Sequence, residues 1–134
     1  MSKLPERADG LADVTLHIYD LLENVAAQGV NSFLAAVGAG AFHAGVEVHG
    51  IEWSFAAAGA GDKPDDSGIF HCPPKGCSGH HYRDSLSMGK TARSAQDVAK
   101  ILDIMGQEWK GGKYDLLRKN CCHFCDAFCQ ELGV

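Results

Sequence analysis

The chain has 134 residues, 46% hydrophobic and 22% charged, with a formal charge of -5. That is the size of one domain with a single core, and the composition excludes disordered and fibrous classes. Acidic and basic residues are interspersed without a basic stripe, so no nucleic acid is expected as a partner.

The opening residues MSKLPERADGLADV lack the apolar run of a signal peptide. No uncharged apolar stretch elsewhere is long enough for a membrane span. The expectation is a cytoplasmic and/or nuclear protein, and in that reducing setting six cysteines are expected to be free, catalytic or metal-bound rather than paired.

Residues 1–12 are polar, with a proline and a glycine, and read as a flexible N-terminal segment; 13–134 read as the domain. VTLHIYDL (14–21) alternates Val14, Leu16 and Ile18 with Thr15, His17 and Tyr19, the period of a half-buried strand with His17 on its polar side. NSFLAAVGAGAF offers Asn31 and Ser32 as caps of a short helical turn before Gly38 and Gly40 return the chain to a loop. AFHAGVEVHG and IEWSFAAAG read as two strands joined by a tight hairpin at Gly50. Trp53 and Phe55, alternating on the second of them, are expected in the core.

GAGDKPDDSG (59–68) is a loop by composition, GIFHC a strand, PPKGCSGHH a break, and YRDSLSMGKT a strand in which Asp84 interrupts the alternation of Tyr82, Leu86 and Met88. From Ser94 as N-cap, Val98, Ile101, Leu102, Met105 and Trp109 recur at helical spacing, with Asp97 in the first turn. GGKYDLLRKN is a linker with one helical turn, and NCCHFCDAFCQEL a closing helix. The fold class is α+β, an antiparallel sheet or partial barrel packed with helices.

Four of the six cysteines fall within residues 119–130. With Asn120 as N-cap, Cys121 becomes the first helical residue, and Cys121, Phe124/Cys125, Phe128 and Leu132 form one stripe. Cys125 and Cys129 then read as small core residues beside Phe124 and Phe128. Cys121 differs, because the first helical turn gathers unpaired N–H groups and positive potential, which favour a thiolate. A nucleophilic thiolate needs a base, and His123 points about 200° around the helix from Cys121.

The base must therefore come from elsewhere in the chain. His17, His49, His71, His80 and His81 read as solvated or locally bonded. His43 lies among Gly40, Ala41, Ala44 and Gly45, where nothing crowds an imidazole and a backbone can approach closely. Gly40, Ala44 and Gly45 fit a narrow substrate cleft and equally fit tight packing. Zinc is the competing use of the cysteines: Cys72, Cys77 and His80 with Cys122 and Cys125 could be ligands, although no cysteine knuckle precedes the helix.

Four blocks in order, GAFHAGVEVHGIEWSFAAAG, GIFHCPP, YRDSLSMGKT and YDLLRKNCCHFCDAFCQELGV, resemble those of the PPPDE family, the DeSI-type cysteine isopeptidases. FHAGVEVHG is similar to the family's F-H-S-G-V-E-V-Y-G block and KNCCHF to its K-N-C-N-H-F block. The resemblance implies a permuted papain-like fold, with the histidine strand ahead of the cysteine helix, and a Cys/His dyad falling on Cys121 and His43. It also implies ubiquitin or SUMO-like modifier conjugates as substrates and partners, with no cofactor or metal required.

In that reading the backbone N–H of Cys121, in the helix start capped by Asn120, helps hold an oxyanion, and Glu52 or Ser54 is within reach to orient His43. The chain departs from the pattern at Cys122, where the family usually has asparagine, and this thiol is expected to be dispensable. It departs again at the short ending ELGV. A homodimer is admitted but not required. A protein thioesterase of depalmitoylating type, a zinc-binding domain and a non-catalytic modifier-binding domain are the alternatives.

Overall fold

A computed structural model of the chain describes residues 10–20 and 42–134. In chain order these carry β1 (Ala12–Asp20), β2 (Phe42–Val48), β3 (Ile51–Phe55), β4 (Ile69–Cys72), β5 (His81–Thr91), α1 (Ala95–Glu108), a 3₁₀ turn (Gly111–Lys113) and α2 (Cys121–Leu132). The strands form one antiparallel sheet in the order β4-β3-β2-β1-β5. The expected α+β architecture is therefore observed, with β4 and β5 at the edges of the sheet. Asn31, Ser32 and Gly40 lie outside the described residues.

The hairpin at Gly50 forms as expected. His49 and Gly50 both take positive φ, 51° and 79°, the pair of left-handed residues that a two-residue turn matched to strand twist requires. Val48 then pairs with Ile51. In α1, Ser94 Oγ accepts from Asp97 N and the Asp97 carboxylate accepts from Ser94 N, so the cap is reciprocal. Val98, Leu102 and Met105 are the buried stripe of this helix, and Trp109 closes it.

Cross-strand register sorts the central sheet into two unlike faces. Leu16 pairs with Val46 and Val46 with Trp53, so these share a face, where Val46, Val48, Phe55 and Ala44 form the core with α1 and α2. Trp109 meets Phe55 and Phe124 edge-to-face at centroid distances of 5.1 and 5.6 Å, and Phe55 stacks on Phe124 at 6.4 Å. On the opposite face, His17 pairs with Gly45, Tyr19 with His43, and Glu47 with Glu52.

That second face corrects the reading of β1. His17 and Tyr19 fall on the side opposite Leu16 and Ile18 as read, yet both are buried. The alternation of β1 holds, and polar partners replace water on this face. His17 Nδ1 lies 2.7 Å from Ser85 Oγ, and its Nε2 lies 2.7 Å from Glu47 Oε1. The alternation read for β5 does not hold: register shifts leave Leu86 opposite Leu16 but Tyr82 opposite Tyr19 on the polar face, and the edge strand leaves Tyr82, Leu86 and Met88 exposed.

Candidate active site

The linker before α2 is built to present Cys121. Asp115 folds it back: its Oδ1 accepts from Leu117 N and Arg118 N, and its backbone bridges to Lys119. Lys119 Nζ sits 4.7 Å over the Trp109 ring and donates to Glu108 O. Asn120 is then held by a bond from its Nδ2 to Leu116 O, 2.8 Å, and takes an extended backbone ahead of the helix.

Asn120 Oδ1 accepts from Cys122 N at 2.9 Å and His123 N at 3.2 Å, as an N-cap should. His123 Nδ1 in turn lies 3.1 Å from Asn120 N. His123 is thus turned toward the cap, in the supporting position its helical angle implied. The other end of α2 stops at Gly133, φ 80°, where Val134 N bonds Cys129 O. Phe124, Cys125, Phe128, Cys129 and Leu132 are buried along the stripe read from the sequence.

His43 and Cys121 come from distant parts of the chain and meet. Cys121 Sγ lies 3.5 Å from Phe42 O at the start of β2, and its acid–base state responds directly to the His43 ring and to Ala44 N–H. The Cys121 thiol is held well below the ordinary cysteine range. The Cys122 thiol donates to it, and the hydrogen bond and charge of His43 and the Ala44 N–H add to this, together outweighing burial. Cys122 moves the other way, its proton held by the bond to Cys121.

The other side of His43 is the part sequence reasoning missed. Its Nε2 lies 3.2 Å from Cys77 Sγ. The His80 ring stacks on it with centroids 4.4 Å apart and planes 11° from parallel, Phe70 stacks at 5.9 Å, and Tyr19 lies tilted at 5.3 Å. Cys77 and His80 belong to the 73–80 turn, where Lys75 takes a φ of 62° and donates its N–H to Glu52 Oε1 at 2.9 Å. Neither was read as a neighbour of His43. The available signal was the paired Cys72 and Cys77 flanked by His80, which was assigned to the zinc alternative.

The residues expected to orient His43 are engaged elsewhere. Glu52 is fully buried and accepts from the Tyr19 hydroxyl at 2.7 and 2.9 Å as well as from Lys75 N. Ser54 Oγ donates to Ala44 O at 2.5 Å. The group against His43 Nε2 is Cys77, whose thiol is pushed up to about 11 by burial and then by the Glu52 charge. Cys72 beside it is pushed up to about 12 for the same two reasons.

Ala44 and Gly45 are buried within β2. A Cβ on Gly45 would strike the Glu52 carboxylate, its Cγ 2.8 Å away, so here the glycine serves close packing and not an open channel. Tyr114 is a further unanticipated neighbour of Cys121: burial, and then the charges of Cys121 and Cys122, raise its pKa. The zinc ligand set is also redrawn, because the ligand atoms that converge among the described residues are those of His43, Cys77 and His80. Cys122 and Cys125 lie on α2, the first exposed and the second in the core.

This is an α+β domain in which a histidine from a central strand meets an acidic cysteine at a helix start. Residues 12–134 match the family described as the "PPPDE putative peptidase domain", and the chain belongs to that family. It is 34% identical over 122 residues to a DeSI-like protein of Arabidopsis thaliana, covering 91% of this chain and 50% of that protein. It is 32% identical to a DeSI-like protein of Schizosaccharomyces pombe, covering 89% and 57%. A Desumoylating isopeptidase 1 homolog of Caenorhabditis elegans is 29% identical, with 89% and 34% covered. The chain thus spans about half the length of these relatives or less. No helix among the described residues is long and apolar enough to cross a membrane.

Proposed function

We propose that this domain is a cysteine isopeptidase that cleaves ubiquitin or SUMO-like modifiers from their conjugates, with Cys121 as nucleophile and His43 as its acid–base partner. The observation that carries this reading is the placement of Cys121 at a capped helix start against β2, the strand that bears His43. A family of peptidases and relatives named for desumoylation support the reaction class and favour SUMO-like conjugates. The chain order, histidine strand before cysteine helix, fits a permuted papain-like arrangement.

The Cys121 thiolate attacks the carbonyl carbon of the isopeptide bond, and the pair of electrons displaced onto oxygen is held by N–H groups at the helix start. Collapse of that intermediate breaks the C–N bond as protonated His43 gives its proton to the departing lysine amine. A water, deprotonated by His43, then attacks the thioester carbonyl, and the C–S bond breaks to release the modifier's carboxylate and restore the Cys121 thiolate beside protonated His43. Cys121 N–H is the first candidate donor to the oxyanion, and the hydroxyl of the neighbouring Tyr114 is the second.

The test is a panel of SUMO- and ubiquitin-derived electrophiles and C-terminal fluorophore conjugates. Coupling at Cys121 to a SUMO-like probe is expected. Cleavage is expected to vanish in Cys121→Ser and in His43→Ala and to persist in Cys122→Ser. Turnover retained by Cys121→Ser would sink the assignment. Binding of a modifier without coupling would turn the domain into a reader, and coupling only to acylated-cysteine probes would make it a thioesterase.

A further inference from the structure

We propose that His43, Cys77 and His80 form a binding site for a zinc-class divalent cation, and that its occupancy holds the domain catalytically off. One His or Cys ligand atom from each of the three lies within 4.8 Å of the others. The closest pair, His43 Nε2 and Cys77 Sγ, is 3.2 Å apart. Two ligands on one tetrahedral zinc, with bonds of about 2.0 Å to nitrogen and 2.3 Å to sulfur, stand about 3.5 Å apart, so this pair is close to ligating distance as it stands.

Local chain geometry supports the same site. Cys77-Ser78-Gly79-His80 is a short C-x-x-H pair, turned by Gly79 at φ 82°. It has the compactness that structural and catalytic zinc sites use for two of their ligands. The turn is anchored to the sheet through Lys75 N and Glu52, while His43 is fixed from the opposite side in β2. Three ligands thus come from two rigidly joined elements.

His80 supplies an independent sign of a ligand. Its Nδ1 is buried and has no hydrogen-bond partner, unique among the buried side-chain nitrogen and oxygen atoms of the described residues. A buried nitrogen left without a partner is costly, and a metal bond would meet that need. The ring now stacks nearly parallel on His43, so ligation requires His80 to tilt until its lone pair and that of His43 converge. One thiolate and two imidazoles suit zinc over magnesium or calcium. The fourth position falls to water or to the Cys121 thiolate.

Binding breaks the Cys77 S–H bond: the sulfur keeps the electron pair and donates it to the cation, and the proton passes to solvent. A His43 ring carrying metal on Nε2 cannot become the imidazolium that protonates the leaving amine. This regulatory half rests on the isopeptidase reading; the binding half does not.

The experiment titrates the chelator-washed full chain with Zn²⁺ against a chromophoric chelator, and with Co²⁺ by absorption spectroscopy. One equivalent is expected, with a cobalt–thiolate charge-transfer band. Cys77→Ser should remove that band. Cys77→Ser and His80→Gln should each weaken Zn²⁺ at least about 10-fold, the least expected when even an outer-shell partner is lost, while Cys122→Ser leaves binding intact. Circular dichroism checks that both variants fold.

Failure to compete with the chelator overturns the site. So does binding abolished by Cys122→Ser but untouched by His80→Gln, which would place the metal on the vicinal thiols. In a second arm, Zn²⁺ should slow both conjugate cleavage and iodoacetamide labelling of Cys121, with the inhibition curve moved at least about 10-fold to higher Zn²⁺ in His80→Gln. Tight binding without inhibition overturns the regulatory half alone. A chain that cleaves no conjugate still reports the metal through the chelator and the cobalt spectrum.

Discussion

Cys121 at the start of α2 and Cys77 in the 73–80 turn both neighbour His43, and their environments drive them in opposite acid–base directions. Both are buried. Cys121 has donors aimed at it: the neighbouring thiol, the imidazole and a backbone N–H. Cys77 and Cys72 have the buried Glu52 nearby, whose charge opposes a second negative charge. Burial raises all three thiols and leads the causes at Cys77 and Cys72; Cys121 departs because its hydrogen bonds and the His43 charge outweigh burial.

The largest expected effect that could break this contrast is labelling selectivity. At pH 7 a thiol near 11, as at Cys77, is ionised on the order of one part in ten thousand. The lower intrinsic nucleophilicity of an acidic thiolate returns part of that advantage. Brief iodoacetamide treatment of the native chain is therefore expected to favour Cys121 over Cys77 by at least about tenfold, read by peptide mass spectrometry. Equal labelling would show that the two environments do not differ. The same raised values set an alkaline limit. A folded thiol that keeps its proton above its unfolded value stabilises the fold below pH 9, and this contribution is lost as pH rises through about 11.

The Glu52 side can be probed through Gly45→Ala. The new methyl group would meet the Glu52 carboxylate, which Tyr19 and Lys75 N hold in place. A loss of about 1–3 kcal/mol in denaturant unfolding is expected, and a neutral outcome would mean that the carboxylate can move. The Cys121 side can be probed through Asn120→Ala, which strips the acceptor from Cys122 N and His123 N. About 1 kcal/mol is expected there, together with slower Cys121 labelling as the helix start loosens.

The helix side of this contrast was largely legible in the sequence and the sheet side was not. Asn120, Cys121 and the Phe124–Phe128 stripe lie within one element, where a 3.6-residue period and a capping preference suffice to assign them. Ser94 with Asp97 and the hairpin at Gly50 are likewise local. The polar face required pairings between strands far apart in the chain. His17 gains Glu47 and Ser85, Tyr19 gains Glu52, and the 73–80 turn folds Cys77 and His80 onto His43. In isolation each of these looks like a solvated polar residue. Only the register, with His17 facing Gly45 and Tyr19 facing His43, makes them interior.

The smallest expected effect sharpens the comparison between Cys121 and its neighbour Cys122. Cys122 donates to Cys121, so Cys122→Ala removes one stabiliser of the thiolate and must raise the pH at which Cys121 ionises. The acid limb of Cys121 labelling therefore moves to higher pH, and the rate falls most on the acidic side. A thiol is a weak donor, so the displacement is expected to be about one unit or less. His43→Ala removes both a hydrogen bond and the charge of an imidazolium, and should move the limb farther in the same direction. If Cys122→Ala moves it more than His43→Ala does, the vicinal thiol is the main source of Cys121's acidity. The departure from asparagine at position 122 would then be a determinant of reactivity instead of a bystander.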